Sequence, residues 1–262
     1  MKRFIPFLNK GPVVPVIRLQ GVISSGRGIS DASMAPLIER AFGRGKPVAV
    51  ALIINSPGGS PAQSSLIAAR IRRLADEKKL PVHVFVEDAA ASGGYWLACA
   101  GDDIWVDESS LVGSIGVISA GFGFPEFLSR HGIERRVHTA GRSKSLADPF
   151  QPEKPEDVAR LKAIQAPIHE AFIDHVKARR GARLADADLF NADIWVGRQA
   201  VDLGLADGVA HLVPKLKELY GPKVRLMPLA PKRGLLSRFG FRAATAALQA
   251  VEDRAAWSRL GL

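Results

Sequence analysis

One serine, Ser92, stands among small residues in "EDAAASGGYWLACAG", directly after the apolar run "LPVHVFVED". A serine hydroxyl is a weak nucleophile until a base lies beside it and its backbone exposes it. Ala90, Ala91, Gly93 and Gly94 permit the tight strand-to-helix turn with which hydrolases present a nucleophile, and "AASGG" is a relative of the G-x-S-x-G elbow. A helix opening at Ser92 also aims its first amides at any negative charge that develops there. The same residues fit a serine N-cap with glycines for packing, so this stretch alone leaves two readings open.

"NSPGGSP", Asn55 to Pro61, follows a second apolar run and precedes a helical one. Its glycine amides then lie at the carboxyl edge of a sheet, where α/β folds place ligands. An amide near Gly59 together with that of Gly93 makes a candidate oxyanion hole, worth a factor of about 10² to 10³ per donor. There is no Walker lysine after these glycines and no G-x-G-x-x-G spacing, so acyl transfer is favoured over phosphate binding.

The base is less local. His83, His131, His138, His169, His175 and His211 lie in no triad signature and read as structural or surface residues. Lys144, in "HTAGRSKSLADPF", ends a strand-like stretch among small residues. A free lysine titrates near 10.4, so only about one in 2,500 is neutral at pH 7. A lysine base therefore needs burial or a cationic neighbour such as Arg142.

The elements that must position these residues alternate. "PVVPVIRLQGVI", "PVAVALIINSPGG" and "LPVHVFVED" read as strands; "DASMAPLIERAFGRG" and "SPAQSSLIAARIRRLADEKK" read as helices, the second with a stripe at Leu66, Ile67, Ala69, Arg70, Ile71 and Leu74. "DDIWVD", "SLVGSIGVIS" and "IERRVHTAG" continue the strands, with "FPEFLSRHG" helical. Strands apolar on both faces, alternating with helices, predict an α/β fold with a mostly parallel sheet. A second phase begins near Asp148, with a long helix carrying Val158, Leu161, Ile164, Ile168, Phe172, Ile173 and Val176 on one side and a kink or break expected at Pro167. "ADLFNADIWVGRQAVDLGLADGVAHLVPKLKELYG" then gives a short strand, a short helix and a return to the sheet.

Taken together and in order, "INSPGGSPAQS", "AAASGGYWLACAGDDIWV", "SLVGSIGVI", "GRSKSLADPFQP" and "IWVGRQAVDLGLADGV" resemble the signal peptide peptidase A (protease IV) family of serine peptidases over about residues 13 to 215. The resemblance implies a Clp/crotonase-like fold of repeated ββα-type units with a helical oligomerisation segment. It also implies a serine nucleophile at Ser92, a lysine general base at Lys144, a supporting serine at Ser114 in "GSIGV", and oxyanion glycines near Gly59 and Gly93. Substrates would be signal-peptide remnants or other unfolded hydrophobic peptides, cut inside a homo-oligomer whose sites lie at subunit boundaries. No metal or cofactor is implied. Membrane-bound relatives carry an N-terminal transmembrane helix and others are tandem chains; neither feature is read here, so this unit would need to assemble.

The 262 residues are 47% hydrophobic and 24% charged, ordinary for a globular chain. The single cysteine, Cys99, excludes an intramolecular disulfide and fits a reducing, cytoplasmic setting. Pro6, Asn9, Lys10 and Pro12 interrupt the apolar N-terminus, which is too short for a spanning helix. Two domains are expected, a peptidase domain over 1–225 and a basic tail over 226–262. Of the net charge of +10, residues 211–262 supply ten Lys/Arg against three Asp/Glu. The tail predicts a helix with Phe241, Ala244, Leu248, Val251 and Ala255 on one face, docking on its own domain or a sister subunit. A second reading is peripheral contact with the inner face of a membrane. Nucleic acid is not expected, for want of aromatic interleaving or a known module. Two rival functions remain: a crotonase-type acyl-CoA enzyme, which would need a catalytic carboxylate such as Glu87, Asp88 or Asp102, and a non-catalytic membrane-associated scaffold.

Overall fold

The computed structural model describes residues 11–26, 28–141, 144–230 and 254–262. The chain divides into two compact units, Met1–Ile115 with Asp174–Leu262, and Gly116–Ile173.

In the first unit, β1 (Val13–Gln20), β2 (Val50–Ser56) and β3 (Val82–Ala91) run parallel and in register, Leu19 beside Ile54 and Ile54 beside Val86. Every residue of β2 is buried, which is why Val50 to Ile54 are continuously apolar rather than alternating; the buried polar Asn55 and Ser56 that end it are hydrogen-bonded to Asp88 and Gly21 O. Two helices form the crossovers. For α1 (Asp31–Gly43), the Ser30 hydroxyl accepts from Ser33 N while Ser33 Oγ accepts from Ser30 N, a reciprocal cap. For α2 (Pro61–Lys78), Ser60 caps Gln63 N and Pro61 supplies a preset φ where no donor is needed.

β3 is long enough to serve two neighbours. His83 to Phe85 pair with β4 (Asp103–Val106), and Ala89 to Ala91 pair with β5 (Leu111–Gly113), both parallel. Between β3 and β4 in the chain lies α3 (Gly93–Ala98), buried at every residue. After α4 (Pro125–Arg130) and α5 (Pro155–Arg180), β6 (Ile194–Val196) runs antiparallel to β5. Next come α6 (Arg198–Asp202), β7 (Gly208–Val209) beside β4, α7 (Leu212–Tyr220), and β8 (Arg225–Leu229) beside β1. Among the described residues the sheet order is β6-β5-β3-β2-β1-β8, with β4 and β7 branching from β3. Val14, Val16, Ala51, Ile53 and Phe85 cover one face and pack with Leu216 of α7.

Several expectations change. The α2 stripe is rotated: Leu66 is 52% exposed and Ala69 is exposed, whereas Ser64, Ile67, Ala68, Ile71, Leu74 and Ala75 are buried. The buried face mixes the small Ser64, Ala68 and Ala75 with Ile67, Ile71 and Leu74 and packs against α1 and α3, so three positions of the expected stripe are buried while Leu66 and Ala69 turn outward. "IERRVHTAG" is not a strand; Ile133 is exposed, and Arg135 leaves the backbone ladder to pair with Asp148 and lie over the Phe150 ring. Pro167 does not end α5, which continues to Arg180. On its expected apolar face only Phe172 and Val176 are buried, and Ile164 is 49% exposed. The boundary expected at 225/226 falls inside β8. Most of the basic tail, including Phe241, Ala244, Leu248 and Val251, lies outside the described residues, as does the N-terminal run to Lys10; residues 254–258 are helical, with Ala255 exposed.

Cys99 is fully buried beside Tyr95, and burial pushes its thiol up to about 12 despite three nearby arginines. The folded protein should therefore resist iodoacetamide at about pH 8 and become alkylated only on unfolding, read by mass spectrometry. Rapid labelling of the native protein would contradict that burial.

Candidate active site

Ser92 sits where β3 ends and α3 begins, at φ 51° and ψ −121°. A non-glycine residue in that region carries a strain on the order of 1–3 kcal/mol, held only because its surroundings over-determine it. The restraints are visible. Ser92 N donates to Gly113 O at 2.8 Å, and Ser92 O accepts from Tyr95 N at 2.9 Å and Trp96 N at 3.0 Å. The hydroxyl makes no capping bond to the helix, so the position is not an ordinary serine N-cap.

The loop after β2 closes against this turn. Ser56 Oγ donates to Gly21 O at 2.7 Å and accepts from Gly58 N at 3.2 Å. Gly58 has φ +103°, and a Cβ built there would stand 2.8 Å from Ser92 Cβ and 2.9 Å from Gly93 N. Ile23 N donates to Gly58 O and Ile23 O accepts from Ser60 N, both at 2.8 Å, which brackets Gly59 and leaves its N–H without a partner among the described residues. Among the described residues Gly93 N–H likewise has no partner. The two glycines are neighbours: a Cβ on Gly93 would lie 3.4 Å from Gly59 N. Two free amides beside an uncapped hydroxyl form an arrangement suited to a tetrahedral oxyanion.

Ser114 extends the same edge. Ala91 pairs with Gly113, so Ser92 and Ser114 each follow a member of that pair. Ser114 also has positive φ, 50°, and its N–H donates to Asp193 O at 2.7 Å. Gly113 is glycine because the Trp195 ring would lie 2.6 Å from any Cβ there. Gly58, Asp193 and Trp195 were not legible as site residues. Gly58 had a signal, the first glycine of the loop; the other two act from β6 and the residue before it, about a hundred residues beyond Ser92, and had none.

Lys144 belongs to the unit Gly116–Ile173, whereas Ser92, Ser114, Gly59 and Gly93 belong to the other. It lies in a turn, its N–H donating to Gly141 O at 3.2 Å, and its side chain is exposed, so the burial expected of it is not found within the chain. Arg142, the expected cationic neighbour, lies outside the described residues. The adjacent Ser145 lines a cavity of about 560 Å³ in this unit, with Phe122, Pro149 and Leu161. Nearby, Asp148 accepts from Phe150 N and Arg135, which together hold its carboxyl below the usual range.

The three carboxylates named for acyl-CoA chemistry each hold a partner in the fold. Glu87 pairs with Arg18 at 2.7 Å, Asp88 accepts from Asn55 at 2.6 Å, and Asp102 binds Arg72 and Val82 N. Three histidines are engaged elsewhere: His83 links Asp103 to Tyr220, His211 pairs with Asp107, and His175 binds Trp96 O. Burial lowers the His175 pKa from its ordinary 6.5, and the positive charge of Arg179 adds to this against the opposing hydrogen bond to Trp96 O. The unfolded chain then binds the proton more readily, so stability should fall as pH drops below about 6.5. Relative to His175→Gln, wild type should lose urea stability between about pH 7 and about pH 5. A constant difference across that range would mean that His175 is not desolvated.

The profile of peptidase family S49 matches residues 74–219, and the chain belongs to that family. A protein of Brucella melitensis biotype 1 named Na(+)/H(+) antiporter NhaA is 48% identical over 100% of this chain, which spans only 39% of that protein. The antiporter name describes that whole protein and is not carried over; among the described residues no helix is long and apolar enough to cross a membrane. The Arabidopsis thaliana serine protease SPPA, chloroplastic, is 30% identical over 76% of this chain and 31% of its own length. Two solved forms of the 1510-N membrane-bound stomatin-specific protease, a serine-to-alanine mutant and a lysine-to-alanine mutant in complex with a substrate peptide, each cover 85% of the chain with a TM-score of 0.53 at 16% identity. The fold is α/β and Clp/crotonase-like.

Proposed function

We propose that the protein is a serine endopeptidase acting through a Ser92–Lys144 dyad and an acyl-enzyme. The observation that carries this is the strained Ser92 turn, with its uncapped hydroxyl beside the unpaired Gly59 and Gly93 amides. Membership of peptidase family S49 supports the reaction class. The neutral Lys144 amine takes the Ser92 proton as Oγ attacks the peptide carbonyl carbon, and the two amides hold the resulting oxyanion. Lys144 returns that proton to the leaving amine as the C–N bond breaks. Water then attacks the ester, giving up its proton to Lys144, and the carboxylate product leaves as Ser92 is reprotonated. Ser114 Oγ would accept a hydrogen bond from the lysine amine and orient it.

Substrates would be unfolded or hydrophobic peptides, signal-peptide remnants among them, with no cofactor. A homo-oligomer with sites at subunit boundaries would also supply the desolvation that an exposed Lys144 lacks. The basic tail would make any peripheral contact with membrane. The test is a fluorophosphonate probe applied to wild type, Ser92→Ala and Lys144→Ala, with the modified residue read by mass spectrometry. Labelling at Ser92 in wild type, lost in both variants, is expected. An assembled wild type that takes no label would remove the reading.

A further inference from the structure

The helix that begins with the Ser92–Gly93 peptide is only six residues long, too short to hold its own geometry. Its far end is bound by α5. His175 Nε2 donates to Trp96 O at 3.1 Å, which assigns the ring proton to Nε2, and the ring stacks on the indole with centroids 5.0 Å apart and planes 16° from parallel. One turn later, Arg179 Nε donates to Cys99 O and its Nη2 to Gly101 O, each at 2.9 Å. Trp96 is thereby fixed from behind. In front, the Trp96 N–H donates to Ser92 O at 3.0 Å. That carbonyl shares a rigid peptide plane with the Gly93 N–H. Displacing Trp96 therefore tilts the plane that carries one oxyanion donor and flanks the nucleophile.

We propose that His175 is a positioning residue: by donating to Trp96 O it holds the Ser92–Gly93 peptide so that the serine hydroxyl and the Gly93 amide act on the same carbonyl. The proposal rests on the reading of Ser92 as the nucleophile. It is independent of which base serves that nucleophile. His175 touches neither substrate nor reacting atoms, so its effect should fall on kcat and leave KM nearly untouched. A misplacement near 1 Å at a reacting group can cost about 10²-fold, which sets the scale.

Glutamine can place an amide N–H where Nε2 stands; asparagine is too short to reach. The experiment compares wild type, His175→Ala, His175→Asn and His175→Gln for peptide turnover, fluorophosphonate inactivation rate and melting temperature. Ala and Asn should lower kcat and the inactivation rate about 10- to 100-fold with KM changed less than about threefold, and Gln should recover both to within about threefold of wild type. If Ala unfolds, the Asn and Gln pair decides. The proposal is overturned if Asn and Gln are equally active, if KM rather than kcat changes, or if the Gln variant is impaired or unfolded. Failure of the underlying reading is distinct, since wild type would then take no label at Ser92.

Discussion

Ser92→Ala should lower kcat/KM for peptide hydrolysis by at least about 10⁴-fold, the scale seen when a nucleophile that acts as part of a unit is removed. The fold should be unaffected. Alanine keeps the Cβ and the backbone bonds of Ser92 to Gly113, Tyr95 and Trp96, so thermal unfolding should barely move. Ser92→Gly makes a sharper control, because glycine also relieves the strain at φ 51°. It should be as inactive as alanine yet more stable, by something on the order of 1 kcal/mol. Inactivity with a gain in stability is what a nucleophile turn predicts, since the strain is retained for function. A glycine variant no more stable than alanine would show that the turn is not strained, and an active Ser92→Ala enzyme would move the chemistry elsewhere.

Gly58→Ala should have the next largest effect, with the hydroxyl left in place. The added methyl would meet Ser92 Cβ at 2.8 Å, Ala91 O at 2.9 Å and Gly93 N at 2.9 Å, at a φ of +103°. None of these is the far end of a flexible side chain, so the backbone must shift, and what shifts is the nucleophile turn or the Gly59 amide facing it. Loss of one well-placed oxyanion donor costs about 10²- to 10³-fold in kcat. The same fall is expected here, with a matching drop in the fluorophosphonate rate. Circular dichroism should confirm that the sheet survives, because β2 and β3 are held by a regular parallel ladder from Val50/Val82 to Ile54/Val86, ahead of the register shift next to the glycine loop. A Gly58→Ala enzyme with wild-type kcat would refute the close packing of these two turns.

Much of this arrangement was legible in the chain. β2 announces itself as a strand buried on both faces, because its run from Val50 to Ile54 is apolar without alternation, as a central parallel strand reads. The small residues around Ser92 and the paired glycines after "INSP" mark turns that no bulky residue could make, and both turns lie where they were expected. The strand expected at "IERRVHTAG" failed for a tertiary reason: β-like composition is only a disposition until a neighbouring strand offers its hydrogen bonds, and Arg135 and Ile133 face elsewhere. The phase of α2 was legible only in part: Ile67, Ile71 and Leu74 are buried as the stripe expected, but packing against α1 and α3 buries Ser64, Ala68 and Ala75 in place of Leu66 and Ala69, because close helix contact selects what fits the gap rather than what is most hydrophobic.

By itself, then, the amino-acid order determined the alternation of strands and helices and the two turns that bear Ser92 and Gly59, because turn geometry and strand burial are local demands on side-chain size. Tertiary structure alone decided the rest. The branching of β3 between β4 and β5 brings Gly113 to Ser92, the antiparallel pairing of β5 with β6 brings Asp193 to Ser114, and α5 grips the back of Trp96 from 79 residues away. These are pairings between distant segments, chosen by register and packing, and no local pattern of residue types encodes which carbonyl a given donor will meet.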